Sequence, residues 1–165
     1  MGNRKSISES TPALRELSAL GVGYRLFSYS HSEHMDDGYA LDTANVLGVE
    51  PERIFKTLMA QADKEIVCAL VPASKRLSFK LLSKAVGAKK SHLLDPCVAE
   101  RVTGYVTGGI SPFGQRHAHR IFVDDSALLY ESILVSGGKR SLSLEISPDS
   151  LGKAKTAVFL PLAEG

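Results

Sequence analysis

Thr107-Gly108-Gly109-Ile110-Ser111-Pro112-Phe113-Gly114 packs three glycines and a proline into eight consecutive residues, between apolar segments of β-prone composition. Neither a regular strand nor a regular helix tolerates that density. Gly108 and Gly109 permit backbone angles closed to other residues, so amide N–H groups can turn outward, while Pro112 fixes one dihedral. Read by itself, the stretch fits a tight connection between two strands. It can equally offer a row of donors to an anion or a developing oxyanion. The fold has to be arranged around this loop.

A chain of 165 residues, 44% hydrophobic and 23% charged, has the makeup of one globular domain with a real core. The net charge of +2 excludes a protein whose nucleic-acid affinity rests on phosphate neutralisation alone, and leaves room for a local basic surface. Cys68 and Cys97 stand at no metal-ligand spacing, so neither a disulfide framework nor a cysteine metal site is indicated. Met1 to Ser10 is polar and lacks the apolar run of a signal peptide, and no stretch approaches the roughly 18 apolar residues of a membrane span. The expectation is a flexible N-terminus over residues 1–10, a single domain over 11–165, and a reduced, cytoplasmic location without a membrane partner.

Thr11-Pro12 reads as an N-cap and first helical position, with Leu14, Leu17 and Leu20 at helical spacing before Gly21. Tyr24 to Ser30 has strand character, and Asp36 is available to cap a second helix that runs through Leu47 to Gly48. Pro51-Glu52-Arg53 turns into the runs Ile54–Ala60 and Glu65–Val71, which predict a hairpin. Ser78 caps a helix ended by Gly87, and Asp95-Pro96 opens another that stops near Gly104. Strands are expected at Arg120–Val123, Ser132–Val135 and Ser141–Ile146, with the glycines of Ser136-Gly137-Gly138-Lys139-Arg140 making a hairpin turn between the last two. Ser147-Pro148 starts a final helix before a closing strand at Ala157–Leu160. Short strands among short helices, without strict alternation, predict a mixed or largely antiparallel α+β domain.

The chain contains no P-loop, no Gly-x-Gly-x-x-Gly fingerprint and no Gly-x-Ser-x-Gly nucleophile elbow, so Ser111 is not marked as a hydrolase nucleophile. His117-Ala118-His119 on a strand would make a metal pair, yet no third ligand accompanies it; with Arg116 and Arg120 it also reads as a basic edge able to meet phosphates. Lys56 is the one charge inside Ile54-Phe55-Lys56-Thr57-Leu58-Met59, on the face of Ile54 and Leu58. A lysine there snorkels to solvent, pairs with an acid, or awaits a polar ligand. Cys97, after a helix-opening proline, reads as a buried structural cysteine.

Phe55-Lys56-Thr57-Leu58, Thr103 through Gln115, and Val135-Ser136-Gly137-Gly138-Lys139-Arg140 together resemble the YbaK/EbsC family of bacterial aminoacyl-tRNA deacylases. Thr11-Pro12-Ala13, Phe27 to His31, and Gly87-Ala88-Lys89-Lys90 extend the likeness over nearly the whole chain after residue 10. The resemblance implies a single compact α+β domain, its central mixed sheet curled into a partial barrel with flanking short helices, related to the editing insertion of bacterial prolyl-tRNA synthetases. It further implies removal of a wrongly attached amino acid from tRNA in trans, above all cysteine from proline tRNA, with the tRNA 3′ end and prolyl-tRNA synthetase as partners and no DNA. Cysteine and proline are too alike in size for a synthetase pocket to separate them by fit, which is what calls for a second sieve.

On this resemblance Lys56 and Gly108 are the catalytic residues, and Tyr29, Thr57, Gly109, Ile110, Ser111, Pro112, Ser136, Gly137 and Gly138 bind substrate. Lys56 would hold the tRNA terminus or stabilise negative charge, and the Gly108 to Pro112 loop would orient the aminoacyl carbonyl. No metal, flavin or nucleotide is implied. The substrate thiol can itself attack the ester, so no Ser-His pair is needed. Some relatives carry a glycine and then an aspartate where this chain has Ser141 and Ser143. An aspartate there would hold the substrate α-ammonium, so cysteine, alanine or another small residue all stay open, as does a non-catalytic module that grips the tRNA end.

Overall fold

The computed structural model describes residues 11–33 and 38–165. Helix α1 spans Pro12–Leu20 and begins as its sequence dictates. Thr11 lies in extended backbone, its Oγ1 accepts the Leu14 N–H at 3.2 Å, and Gly21 closes the helix in the left-handed region. Leu14 and Leu17 are fully buried, so α1 lays one apolar face on the core. Strand β1 is Arg25–Ser28, and α2 is Tyr39–Leu47, ended by Gly48. Residue Asp36, expected to cap α2, and the N-terminal segment 1–10 lie outside the described residues. A 3-10 turn at Pro51–Arg53 leads into the predicted hairpin, β2 (Phe55–Ala62) and β3 (Glu65–Pro72), paired antiparallel with Lys56 opposite Val71 and Thr57 opposite Leu70.

The remaining elements are β4 (Arg76–Leu77), α3 (Phe79–Val86), β5 (Ser91–Leu93), α4 (Pro96–Thr103), β6 (Ile121–Asp124), β7 (Ile133–Lys139), β8 (Leu142–Ile146), α5 (Pro148–Lys155), β9 (Val158–Leu160) and β10 (Ala163–Glu164). Ser78, Asp95 and Ser147 cap α3, α4 and α5 as their sequences predict. A five-stranded mixed sheet runs β5-β2-β3-β6-β9, with β6 parallel to both β3 and β9. Strands β1, β8 and β7 form an antiparallel sheet, β4 and β10 a small pair, and a parallel bridge from Ile54 to Leu134 links the two larger sheets. The strands thus divide among three sheets, with no closed barrel among the described residues, in a single mixed α+β domain.

After Glu65, strand β3 is unbroken apolar sequence because it is covered on both sides. Cys68 and Leu70 join one core with Leu14, Leu17, Phe55, Phe113 and Leu144, while Val67, Ala69 and Val71 join another with Leu77, Leu82 and Phe122. Strand β8, Leu-Ser-Leu-Glu-Ile, turns its three aliphatic side chains to the core, while Ser143 is buried on the other face beside Tyr29. Leu142, Leu144 and Ile146 are buried, and Glu145 on the opposite face meets Arg53 at 2.9 Å and Arg25 at 3.4 Å.

Three expectations change, the simplest at Cys97, which is exposed in the first turn of α4 rather than buried. Gly137 and Gly138 do not form the hairpin turn: they lie inside β7, at a register shift between Ser136 and Lys139, and the turn falls at Arg140-Ser141. The reason is packing. A methyl on Gly137 would lie 2.9 Å from the Leu142 side chain, one on Gly138 3.0 Å from Thr11 Cβ, and Thr11 Oγ1 donates to Gly137 C=O at 2.8 Å. Nor does His117-Ala118-His119 belong to a strand. Residues 116 and 117 fold back instead, Arg116 N–H bonding Thr103 C=O at 2.8 Å, and strand structure begins at Ile121.

Ser141 now stands at φ +69°, in the left-handed region where glycine is at ease. That conformation costs a non-glycine residue about 1–2 kcal/mol, of which the greater freedom of unfolded glycine cancels about half. Ser141→Gly is therefore expected to raise the unfolding free energy by up to about 1 kcal/mol, read as a higher urea midpoint at unchanged slope.

Candidate functional site

The first half of β2 has an open edge. Strand β5 pairs only with Ala60 to Ala62, after which Leu94 N–H reaches Met59 C=O at 3.0 Å. Backbone groups alternate sides along a strand, so the edge that receives Leu94 also carries the Thr57 N–H and C=O. Among the described residues no strand pairs with that edge between the Ile54 bridge and Met59. A cavity of about 370 Å³ opens there instead, walled by Lys56 to Met59, by Tyr29, Tyr39, Leu41 and Thr43, by Leu93 and Leu94, by Gly108 and Ile110, and by Ser136, Leu142 and Ser143.

The glycine-rich loop reaches this cavity after α4 and is fastened by its own polar groups. Thr107 N–H donates to Glu100 Oε2 at 2.7 Å, Gly109 N–H to Val106 C=O at 2.9 Å, and Phe113 N–H to Ser111 Oγ at 3.2 Å. Gly114 N–H is held by the Glu16 carboxylate. Among the described residues the N–H groups of Gly108 and Ile110, both on the cavity wall, have no partner. Gly108 stands at φ +87°, and a methyl there would lie 2.7 Å from the Tyr39 ring. Tyr39 cannot swing freely, since His31 packs edge-on at 5.3 Å and the Arg140 guanidinium lies 4.9 Å from the ring centroid.

Lys56 is half-buried, and burial lowers its ammonium pKa from the usual lysine range. Among the described residues no carboxylate lies within ion-pair distance of it, which removes the paired-acid reading. Thr57 Oγ1 is buried without a hydrogen-bond partner. The Tyr29 hydroxyl is engaged, 2.9 Å from Thr43 Oγ1 and 2.7 Å from Ser143 Oγ. Behind it His31 Nδ1 lies 2.8 Å from Asp42 Oδ2, and hydrogen bonds from Ser32 and then from His31 keep the Asp42 pKa below the ordinary aspartate value, against the effect of burial. No described hydrogen bond joins a serine, threonine or cysteine to a histidine.

Of the residues singled out from the sequence, Tyr29, Lys56, Thr57, Gly108, Ile110 and Ser136 share the cavity wall. Gly109, Ser111, Pro112, Gly137 and Gly138 stand behind it. A methyl on Gly109 would lie 2.8 Å from Lys139 Cα, Ser111 is fully buried, and Pro112 borders a second groove across the loop. Tyr39, Thr43 and the leucines at 41, 93 and 94 were not foreseen as wall residues, because their contacts come from α2 and β5, far away in sequence. The second groove, about 550 Å³, is polar and includes Arg15, Glu16, His117, His119 and Lys155. His119 Nδ1 meets Gln115 Oε1 at 2.7 Å, and burial followed by the neighbouring His117 lowers its pKa. Among the described residues no group of three or more His, Cys, Asp or Glu is placed to hold a metal, and no helix is long and apolar enough to cross a membrane.

Fold and cavity together define a class: a single-domain α+β protein with a small pocket whose polar groups, among the described residues, are one unpaired lysine, several hydroxyls and free loop amides. The chain belongs to the aminoacyl-tRNA editing domain family, whose profile matches residues 39–154. It is 35% identical over 149 residues to EbsC of Enterococcus faecalis, described as a candidate Cys-tRNA(Pro)/Cys-tRNA(Cys) deacylase, the match covering 90% of each chain. It is 32% identical over 105 residues to the proline–tRNA ligase of Desulforamulus reducens, covering 64% of this chain and 18% of the ligase. A solved structure described as a candidate trans-editing enzyme for prolyl tRNA synthetase superposes with a TM-score of 0.83 at 23% identity, covering 93% of this chain and 96% of that one.

Gly87 supplies an internal control for Gly108: both have positive φ, but nothing lies within 4 Å of a methyl on Gly87. The left-handed backbone at either site is expected to make alanine cost up to about 1 kcal/mol in urea unfolding, once the lost freedom of unfolded glycine has offset about half of the strain. Only Gly108→Ala should in addition displace the Tyr39 ring, seen as a change in Tyr39 side-chain NMR shifts that Gly87→Ala leaves untouched.

Proposed function

We propose that this chain is a trans-acting aminoacyl-tRNA deacylase whose main substrate is cysteine mischarged onto proline tRNA, with residues 11–165 acting as one editing unit. The observation that carries the reading is a single cavity wall bearing both Lys56, a desolvated cation without an acidic partner among the described residues, and the amides of Gly108 and Ile110, likewise unpartnered among them. A volume of about 370 Å³ accommodates a small aminoacyl group and its ribose, and excludes the body of a tRNA. Family membership supports ester cleavage on aminoacyl-tRNA as the chemistry.

In this reading the loop amides face the carbonyl oxygen of the ester and stabilise it as it becomes an oxyanion. Lys56 neutralises charge at the ribose end. The cysteine sulfur attacks the carbonyl carbon, the bond to the ribose oxygen breaks, and the thiol proton ends on that oxygen, giving free tRNA and a cyclic thioester. Positioning then supplies most of the rate. The absence of any described Ser-His or Cys-His pairing fits a protein that provides no nucleophile, and the chemistry is proposed to need no metal. Similarity to part of a proline–tRNA ligase supports prolyl-tRNA synthetase as the partner that selects the tRNA, and a cytoplasmic site of action.

One observation favours a second amino acid. Among the described residues no carboxylate stands on the cavity wall, and Ser143 Oγ is engaged with the Tyr29 hydroxyl at 2.7 Å. The substrate α-ammonium would then meet only hydroxyl and carbonyl oxygens, a weak and unselective grip that also admits alanine. Purified protein should be tested on proline tRNA charged with cysteine, alanine or proline. Cysteine is expected to be released fastest, and Lys56→Ala should slow release by about 100-fold or more. Release unaffected by Lys56→Ala would sink the site assignment, and a wild-type protein that releases nothing would be a tRNA-end binding module.

A further inference from the structure

Arg140, in the turn between β7 and β8, is attached to two residues of the cavity wall. Its Nε donates to Thr107 C=O at 2.9 Å, and its guanidinium carbon lies 4.9 Å from the Tyr39 ring centroid. Thr107 and Tyr39 both border the cavity, whereas Arg140 itself is exposed, so the guanidinium sits on the rim. Among the described residues its two terminal nitrogens make no hydrogen bond and no ion pair. The acid in electrostatic reach is Glu100, one of whose oxygens is already committed to Thr107 N–H at 2.7 Å.

A guanidinium fixed by a hydrogen bond and a ring has given up most of its rotamer freedom in advance, and its free edge is a fork suited to two oxygens of one anion. The chemistry of the substrate class says which anion that is. An aminoacyl group is esterified to a terminal ribose, and the nearest negative charge is the phosphodiester on the 5′ side of that same ribose. When the aminoacyl end fills the cavity, this phosphate is left at the mouth, outside the apolar wall. We propose that Arg140 binds that phosphodiester, making a rim subsite distinct from the aminoacyl pocket in which Lys56 works. The proposal rests on the deacylase reading and adds to it a contact that carries backbone affinity without sequence preference.

The test compares two small esters, cysteinyl-adenosine, which has no phosphate, and the cysteinyl ester of the dinucleotide cytidylyl-adenosine, which has one. Wild-type protein is expected to favour the dinucleotide in kcat/KM. Arg140→Gln should lower kcat/KM for the dinucleotide about tenfold or more, chiefly through KM, and change the adenosine ester by less than about twofold. Arg140→Lys should restore part of the difference. Equal losses on both esters would mean that Arg140 only shapes Thr107 and Tyr39, and would overturn the proposal, as would no loss on either. Equilibrium binding of uncharged cytidylyl-adenosine against adenosine, measured on the same proteins, keeps the two ideas apart. If wild type cleaves neither ester, the deacylase reading fails, while an arginine-dependent preference for the dinucleotide in binding would still uphold the subsite and its absence would overturn it.

Discussion

The cavity depends on how closely one loop backbone approaches three other parts of the chain. A methyl on Gly109 would stand 2.8 Å from Lys139 Cα, one on Gly114 2.4 Å from the Pro12 carbonyl carbon, and one on Gly108 2.7 Å from the Tyr39 ring. Glycine at these positions is a spatial requirement before it is a conformational one. The contacts tie the loop to the β7–β8 hairpin, to the start of α1 and to α2, three elements with no sequence proximity. Thr11 reinforces the arrangement by capping α1 and holding Gly137 C=O at 2.8 Å. Tyr105 does likewise, its hydroxyl donating to Phe113 C=O at 2.6 Å. A loop so held keeps its unpartnered amides in one place, and a site that must meet a developing charge gains from donors that need not reorganise.

Opposite the loop, the sheet contributes an absence of pairing. β2 is covered by β5 over only part of its length, and the uncovered part holds Lys56, the orphaned Thr57 hydroxyl and the Thr57 backbone. An open strand edge and a desolvated lysine each cost stability, and their coincidence at one cavity is the pattern expected where a ligand completes the structure. The Tyr29–Thr43–Ser143 cluster, with the His31–Asp42 pair behind it, closes the third side with satisfied hydroxyls, so that part of the wall is held in place. Such a division of labour suits a reaction in which the substrate brings its own nucleophile.

Much of this was legible from local chemistry. Thr11-Pro12, Ser78, Asp95-Pro96 and Ser147-Pro148 mark helix starts because capping is settled within four residues. The β2–β3 hairpin was legible from its two apolar runs, and Lys56 stood out because a charge interrupts one of them. Gly137-Gly138 misled for a physical reason: glycine density marks turns and bulges alike, and only the long-range fit against Thr11 and Leu142 shows which. The short strands β4, β5 and β10 carry no periodic signal, since two or three residues paired across the domain are fixed by tertiary contacts alone. Tyr39 illustrates the same limit, being joined to Gly108 across 69 positions of sequence with nothing local to announce it.

The claim at the centre of this account is that the cavity between the β2 edge and the glycine-rich loop, and not the polar groove beyond the loop, receives the aminoacyl end. An NMR titration with a 3′-amide analogue of cysteinyl-adenosine, which resists cleavage, tests it directly. The largest amide shift changes are expected at Thr57, Gly108, Ile110 and Ser136, with Arg15, His117 and Lys155 unmoved. Changes concentrated at Arg15, His117 and Lys155, with the loop and β2 edge silent, would contradict it.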